Sequence, residues 1–117
     1  MTVAEALAAR DAAAIERLLA PDAVFHSPVA DYAGRELALR LLTAVAQVFD
    51  SLEVVSELSR GDEERVSFVR ATVEGAQLDG VVRDLRRDEL VYDVTLMARP
   101  LDALERAIAR MQALLSG

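Results

Sequence analysis

The spacing of apolar residues changes near the middle of the chain. From Val3 to Phe49 they recur every three or four positions, and from Ser51 to Arg99 every second position. The first pattern predicts helices and the second strands, because a helix returns to the same face every few residues while a strand alternates faces. Thr2 and Glu5 have capping-box spacing, so a helix begins near Val3. Val3, Leu7, Ile15, Leu18 and Leu19 follow its period, Asp11 offers a second cap within it, and Pro21 closes it. Ala23 to His26 reads as a short strand ended by Ser27-Pro28, since proline cannot continue a hydrogen-bond ladder. A loop carrying Asp31 and Tyr32 then leads through Gly34 into a helix from Arg35 to Phe49. In that helix Leu37, Leu41, Leu42, Val45, Val48 and Phe49 form a stripe broad enough to be buried on most sides.

The alternating half divides at turn residues. Gly61-Asp62, Glu74-Gly75 and the charged Arg87–Glu89 segment separate four strands: one from Ser51, then Arg65–Glu74, Gln77–Arg86 and Leu90–Arg99. Close spacing and tight turns predict an antiparallel meander. Pro100 suits the first turn of a last helix, lined on one face by Leu101, Leu104, Ile108, Met111 and Leu115, with Ser116-Gly117 left to fray. Helices, then a sheet, then a closing helix make an α+β layout in one domain spanning residues 1–117. A long, strongly twisted antiparallel sheet would wrap the helices and enclose a cone. Its strands are apolar on both faces, with Val66 and Phe68 on one and Val69, Ala71 and Val73 on the other. One face should meet the helices and the other a second copy of the chain.

Composition narrows the chemistry more than it suggests any. The 117 residues are 53% hydrophobic and carry a net charge of −7, so a core is affordable and a nucleic-acid partner is disfavoured. The only local basic group, Arg83, Arg86 and Arg87, sits among Asp84, Asp88 and Glu89. No apolar run reaches the roughly 18 residues of a membrane span, and Met1 opens no basic-then-apolar leader, which leads to the expectation of a soluble, cytoplasmic protein. There is no cysteine, so no thiolate nucleophile or zinc–sulfur site. All 13 basic residues are arginine, so there is no Schiff-base lysine. The single histidine excludes a multi-histidine metal site, and no metal or cofactor is expected. What remains is carboxylates, one imidazole, arginines, two tyrosines and a few hydroxyls.

Three segments carry a family resemblance across essentially the whole chain: APDAVFHSPV after an Ala-rich helix, YAGRELALRLL opening the next helix, and DVTLMARPLDALERAI at the end. With them the chain resembles the SnoaL-like proteins of the NTF2-like superfamily. The resemblance implies an α+β cone of N-terminal helices packed on a strongly curved antiparallel sheet, a C-terminal helix, a pocket between sheet and helices, and homodimerisation through the sheet. Its members include cyclases, isomerases, epoxide hydrolases and dehydratases, so it does not choose a reaction. The expected pocket lining is Phe25, Tyr32, Leu42, Phe49, Phe68 and Val82.

His26 lies on the strand that would frame such a pocket, where an imidazole can move a proton near neutral pH, line the wall, or serve structurally by hydrogen-bonding a carbonyl or Asp31 in the adjoining loop. Tyr32 can donate to an oxyanion or cover the pocket. Asp79, Asp84 and Asp93 lie within strands, and a carboxylate projecting into an apolar interior has a raised pKa suited to acid–base work. If Leu78, Gly80 and Val82 face inward, a regular strand also turns Asp84 inward. His26 and Asp84 are therefore the expected acid–base pair. Gly80-Val81 is followed by Val82 where similar SnoaL-like chains continue with an acidic residue, which weakens that reading. Two functions stay open: a small apolar molecule bound in the pocket, with cofactor-free isomerase, cyclase or dehydratase chemistry, or a non-catalytic binding or dimerisation module.

Overall fold

Thr2 closes the capping box that the sequence predicts. Its hydroxyl accepts the Glu5 amide at 3.1 Å, and its own amide donates to the Glu5 carboxylate at 2.8 Å. In the computed structural model, which describes residues 1–116, this cap starts α1 (Val3–Ala8). Arg10, at a φ of 54°, breaks the helix, and Asp11 caps α2 (Ala12–Leu18) by accepting the Ala14 amide. The chain continues through β1 (Leu19–His26), β2 (Asp31–Ala33), α3 (Arg35–Val48), β3 (Ser51–Arg60), β4 (Glu64–Val73), β5 (Ala76–Arg87), β6 (Leu90–Arg99) and α4 (Leu101–Ser116). Ser116 ends α4, and Gly117 lies outside the described residues.

The strands form one six-stranded sheet in the order β2-β1-β6-β5-β4-β3. The meander β3–β6 is antiparallel throughout, as the alternation predicts. N-terminal helices, sheet and C-terminal helix give the α+β arrangement. The expected cone of a strongly curved antiparallel sheet is corrected, however. The sheet is open, with β2 and β3 as separate edges, and it is mixed, because β1 runs parallel to β6. A period of two reveals which face a residue takes but not which strand lies beside it. Here β2, α3 and β3–β5 intervene between β1 and β6, long enough a connection to bring β1 in parallel. The three residues of β2 are too few to carry a pattern.

Pro21 was expected to end the first helix but lies inside β1. It falls where the β1–β6 register shifts between Leu19 and Val24, so its missing N–H interrupts no regular ladder. One sheet face packs against the helices. Val69, Ala71 and Val73 of β4, Leu78 and Val82 of β5, and Val94 of β6 are buried there against Leu41, Leu42, Val45 and Val48 of α3 and Ala103 and Ala107 of α4. Two arginines fix the end of α3. Arg110 of α4 donates to the Val48 carbonyl at 2.8 Å and Arg10 to the Phe49 carbonyl at 2.8 Å, satisfying carbonyls that a helix end leaves free.

Candidate functional site

The inner face of the sheet carries small residues at one cross-strand position: Gly80 and Ala98 are register partners on β5 and β6. They lie in the floor of a cavity of about 160 Å³ between the sheet and the helices. Val69, Leu78, Gly80, Val82, Leu96 and Ala98 form its floor, and α3 covers it with Leu41, Val45 and Val48. From α4 come Leu104, Ile108, Met111 and Leu115 of the stripe visible in the sequence, together with Ala107 and Gln112, while Leu101 of that stripe is exposed and outside the lining. Phe25, Tyr32 and the Ser27–Val29 turn close one end, with Phe25 and Tyr32 stacked at a centroid distance of 6.1 Å. Among the described residues Ser27, Tyr32 and Gln112 are the only polar side chains in the lining, and Tyr32 is the only titratable one.

Of the six residues expected to line the pocket, Phe25, Tyr32, Phe49 and Val82 do so. Leu42 is fully buried in the core beside it, outside the lining. Phe68 points to the other face of the sheet, 40% exposed, because it alternates with the inward Ser67 and Val69. The α4 wall and the Gly80–Ala98 pair were not singled out as site residues. A glycine inside a strand was the available signal, since it marks a close approach or a missing side chain.

The structure does not bring His26 and Asp84 together; they lie on opposite faces of the sheet. Asp84 turns inward with Val82, and only 1% of it is exposed. Its Oδ2 accepts the Val3 amide at 2.9 Å and an Arg86 N–H at 3.2 Å, while Oδ1 has no partner. Burial pushes its carboxyl above the ordinary aspartate value, against the lowering effect of the Val3 amide and Arg86. It lies outside the cavity lining and holds the start of α1.

Phe25 faces the cavity, so its neighbour His26 faces the outer side. There Nδ1 meets Asp31 Oδ1 at 2.7 Å and Nε2 meets Asp93 Oδ2 at 2.9 Å. The hydrogen bond to Asp31 and then that to Asp93 raise the imidazole pKa above its usual value, outweighing slight burial. Asp93 also accepts from the Thr95 hydroxyl at 3.4 Å and lies 3.6 Å from Arg83, which reaches Glu64 at 4.0 Å. Asp79 pairs with Arg70 at 3.3 Å on the same outer face. Among the described residues no group of three or more histidine, cysteine or acidic side chains is placed to hold a metal ion. No helix there is long and apolar enough to cross a membrane.

A SnoaL-like domain model matches residues 2–99. A steroid delta-isomerase of Pseudomonas aeruginosa superposes with a TM-score of 0.88 at 31% identity, over 96% of this chain and 85% of that one. A protein with a cystatin-like fold from Silicibacter pomeroyi gives a TM-score of 0.89 at 23% identity, over 96% and 81%. An NTF2-like protein from Mesorhizobium loti gives 0.75 at 21%, over 83% and 84%. No curated protein sequence matches the chain.

Proposed function

The chain belongs to the SnoaL-like family of the NTF2-like superfamily, and from that premise we propose that it binds one small, uncharged, apolar molecule in the cavity between sheet and helices. The observation that carries this reading is the lining, apolar but for Ser27, Tyr32 and Gln112 and free of carboxylate and imidazole among the described residues. A charged ligand would enter without a counter-charge, at a cost of several kcal/mol. The volume of about 160 Å³ is close to that of an engineered apolar cavity of about 150 Å³ that binds benzene. Single-ring ligands fit that space.

The Pseudomonas aeruginosa relative favours a second reading, proton-transfer isomerisation of a steroid. Such chemistry needs a base within hydrogen-bond reach of the substrate carbon acid and a donor for the oxyanion. Tyr32 supplies a donor, but Asp84 is committed to the Val3 amide and Arg86, and His26 and Asp93 face the other side of the sheet. Binding without turnover is therefore the reading the geometry favours. Titration of fluorobenzene, followed by fluorine NMR, should show saturable binding. Ala107→Leu, which fills the cavity from α4, should abolish it while the fold persists. Absence of binding, or equal binding to the filled variant, would overturn the proposal, and turnover of an unsaturated ketosteroid would replace it with the isomerase reading. The outer sheet face is proposed to hold a second copy of the chain.

A further inference from the structure

The Ser27–Ala30 turn that closes one end of the cavity is built as a unit. The Ser27 amide donates to the Ala30 carbonyl at 2.9 Å, and so does the Ser27 hydroxyl at 3.0 Å. That hydroxyl also accepts the amides of Val29 and Ala30 at 3.1 and 3.0 Å. These bonds tie the turn across its two ends, and its Ser27, Pro28 and Val29 lie over the cavity. It is weakly tethered, because β2 is a three-residue edge strand bonded only to β1. His26 and Asp31 are the last register pair of that hairpin, where the turn leaves the sheet. The imidazole spans from Asp31 on the turn's outgoing stem to Asp93 on β6.

We propose that the Ser27–Ala30 turn is a lid on the cavity, and that His26 latches it shut by holding Asp31 and Asp93 at once. The lid function rests on reading the cavity as a ligand site; the latch does not. An ionised carboxylate only accepts hydrogen bonds, so both ring nitrogens must donate, and only the imidazolium carries two N–H groups. The flanking carboxylates favour that form, in line with the raised pKa. The groups facing His26 are Asp31 from β2 and Asp93 with Thr95 from β6. Arg83 of β5 and, behind it, Glu64 of β4 reach it through Asp93. On loss of the proton a single N–H remains. It stays with Asp93, whose side chain is only 20% exposed and is oriented by Arg83 and Thr95. Asp31, 72% exposed, is released to water, and the end of the hairpin loosens. The latch is complete below the ordinary histidine pKa and is lost as pH rises through the higher value His26 has in the folded chain.

Amide hydrogen exchange tests the latch without any ligand. The Ser27 amide reports the latched end of the hairpin, and the Gly34 amide, bonded to the Ala23 carbonyl at 2.9 Å, reports the far end as a control. After correction for intrinsic rates, Ser27 protection should fall about two- to fivefold as pH passes through the His26 titration, the size of one exposed charge-assisted contact. Gly34 should not respond. Asp31→Ala, which removes the acceptor at an exposed position, should hold Ser27 at its high-pH protection at every pH. The dissociation rate of bound fluorobenzene should rise with the same pH midpoint. Ser27 protection that ignores the His26 titration, or an Asp31→Ala variant that keeps the step, overturns the latch. A fluorobenzene dissociation rate that ignores the step overturns the lid. A Ser27 step in a chain that binds no fluorobenzene upholds the latch and overturns the ligand reading instead.

Discussion

Asp84 shows how a residue that reads as an acid–base group is used up by structure. The alternation of β5 correctly turns it inward, but it meets the start of α1, 81 positions earlier in the chain, where its Oδ2 accepts the Val3 amide. No local pattern reveals such a partner, so its orientation was legible from the sequence and its work was not. Asp84→Ala leaves the Val3 amide without its acceptor in a buried place and the Arg86 guanidinium with only the Met1 carbonyl. The expected loss is about 2–4 kcal/mol of unfolding free energy by urea titration, the range for stripping a buried charged group of its partner. Asp84→Asn separates charge from shape. The folded carboxyl has a raised pKa, so the native state takes up its proton more readily than the unfolded chain does. Wild-type stability relative to Asp84→Asn should therefore be greatest below the ordinary aspartate value and decline as pH rises through the folded value. A difference that is flat with pH would refute the assignment of Asp84 as a buried, desolvated charge.

Among the elements, β5 carries the sharpest conflict between local preference and packing. Glycine weakens a strand interior by roughly 0.5–1 kcal/mol relative to alanine, so preference alone predicts that Gly80→Ala stabilises. A Cβ built there would stand 3.0 Å from the Met97 carbonyl oxygen and 3.2 Å from the Val69 side chain, and the carbonyl cannot move without disturbing the β5–β6 ladder. We expect packing to win, with a loss of about 1–3 kcal/mol in chemical denaturation. A neutral or stabilising outcome would mean that the ladder yields more easily than its register suggests. The meander, α3 and the α4 stripe were legible because each is long enough to display its period. The β2 strand, the parallel partner of β1 and the open sheet were not, because each depends on which strands become neighbours rather than on how one segment alternates. Part of the cavity followed from the same logic: Phe25 and Val82 lie on legible faces, whereas the meeting of Gly80 and Ala98 across two strands depends on which strands are neighbours.

At the scale of the whole molecule the two sheet faces divide the work. The inner face holds the cavity, and the outer face carries a cross-strand row of Ser56, Phe68, Val81 and Met97, with Leu58 and Val66 beside it. Met97 on the central strand β6 is 63% exposed and Leu58 on the edge strand β3 62%, unusual for large apolar side chains on a sheet. The Arg70–Asp79 pair borders the row on one side and the Arg83–Asp93–His26 group on the other. A polar rim around an apolar centre is the anatomy of an interface, and a two-fold axis through the row would lay it on itself. The 12.7 kDa chain is accordingly expected to sediment as a dimer at micromolar concentration. Met97→Glu would place like charges together across that axis and should give a monomer with an unchanged circular dichroism spectrum. Because Met97 and the cavity lie on opposite faces, the monomeric variant should keep its affinity for fluorobenzene, and the cavity-filled Ala107→Leu should remain dimeric. A wild-type chain that sediments as a monomer would end the dimer reading, and a Met97→Glu chain that loses both properties together would show that the two faces are not independent.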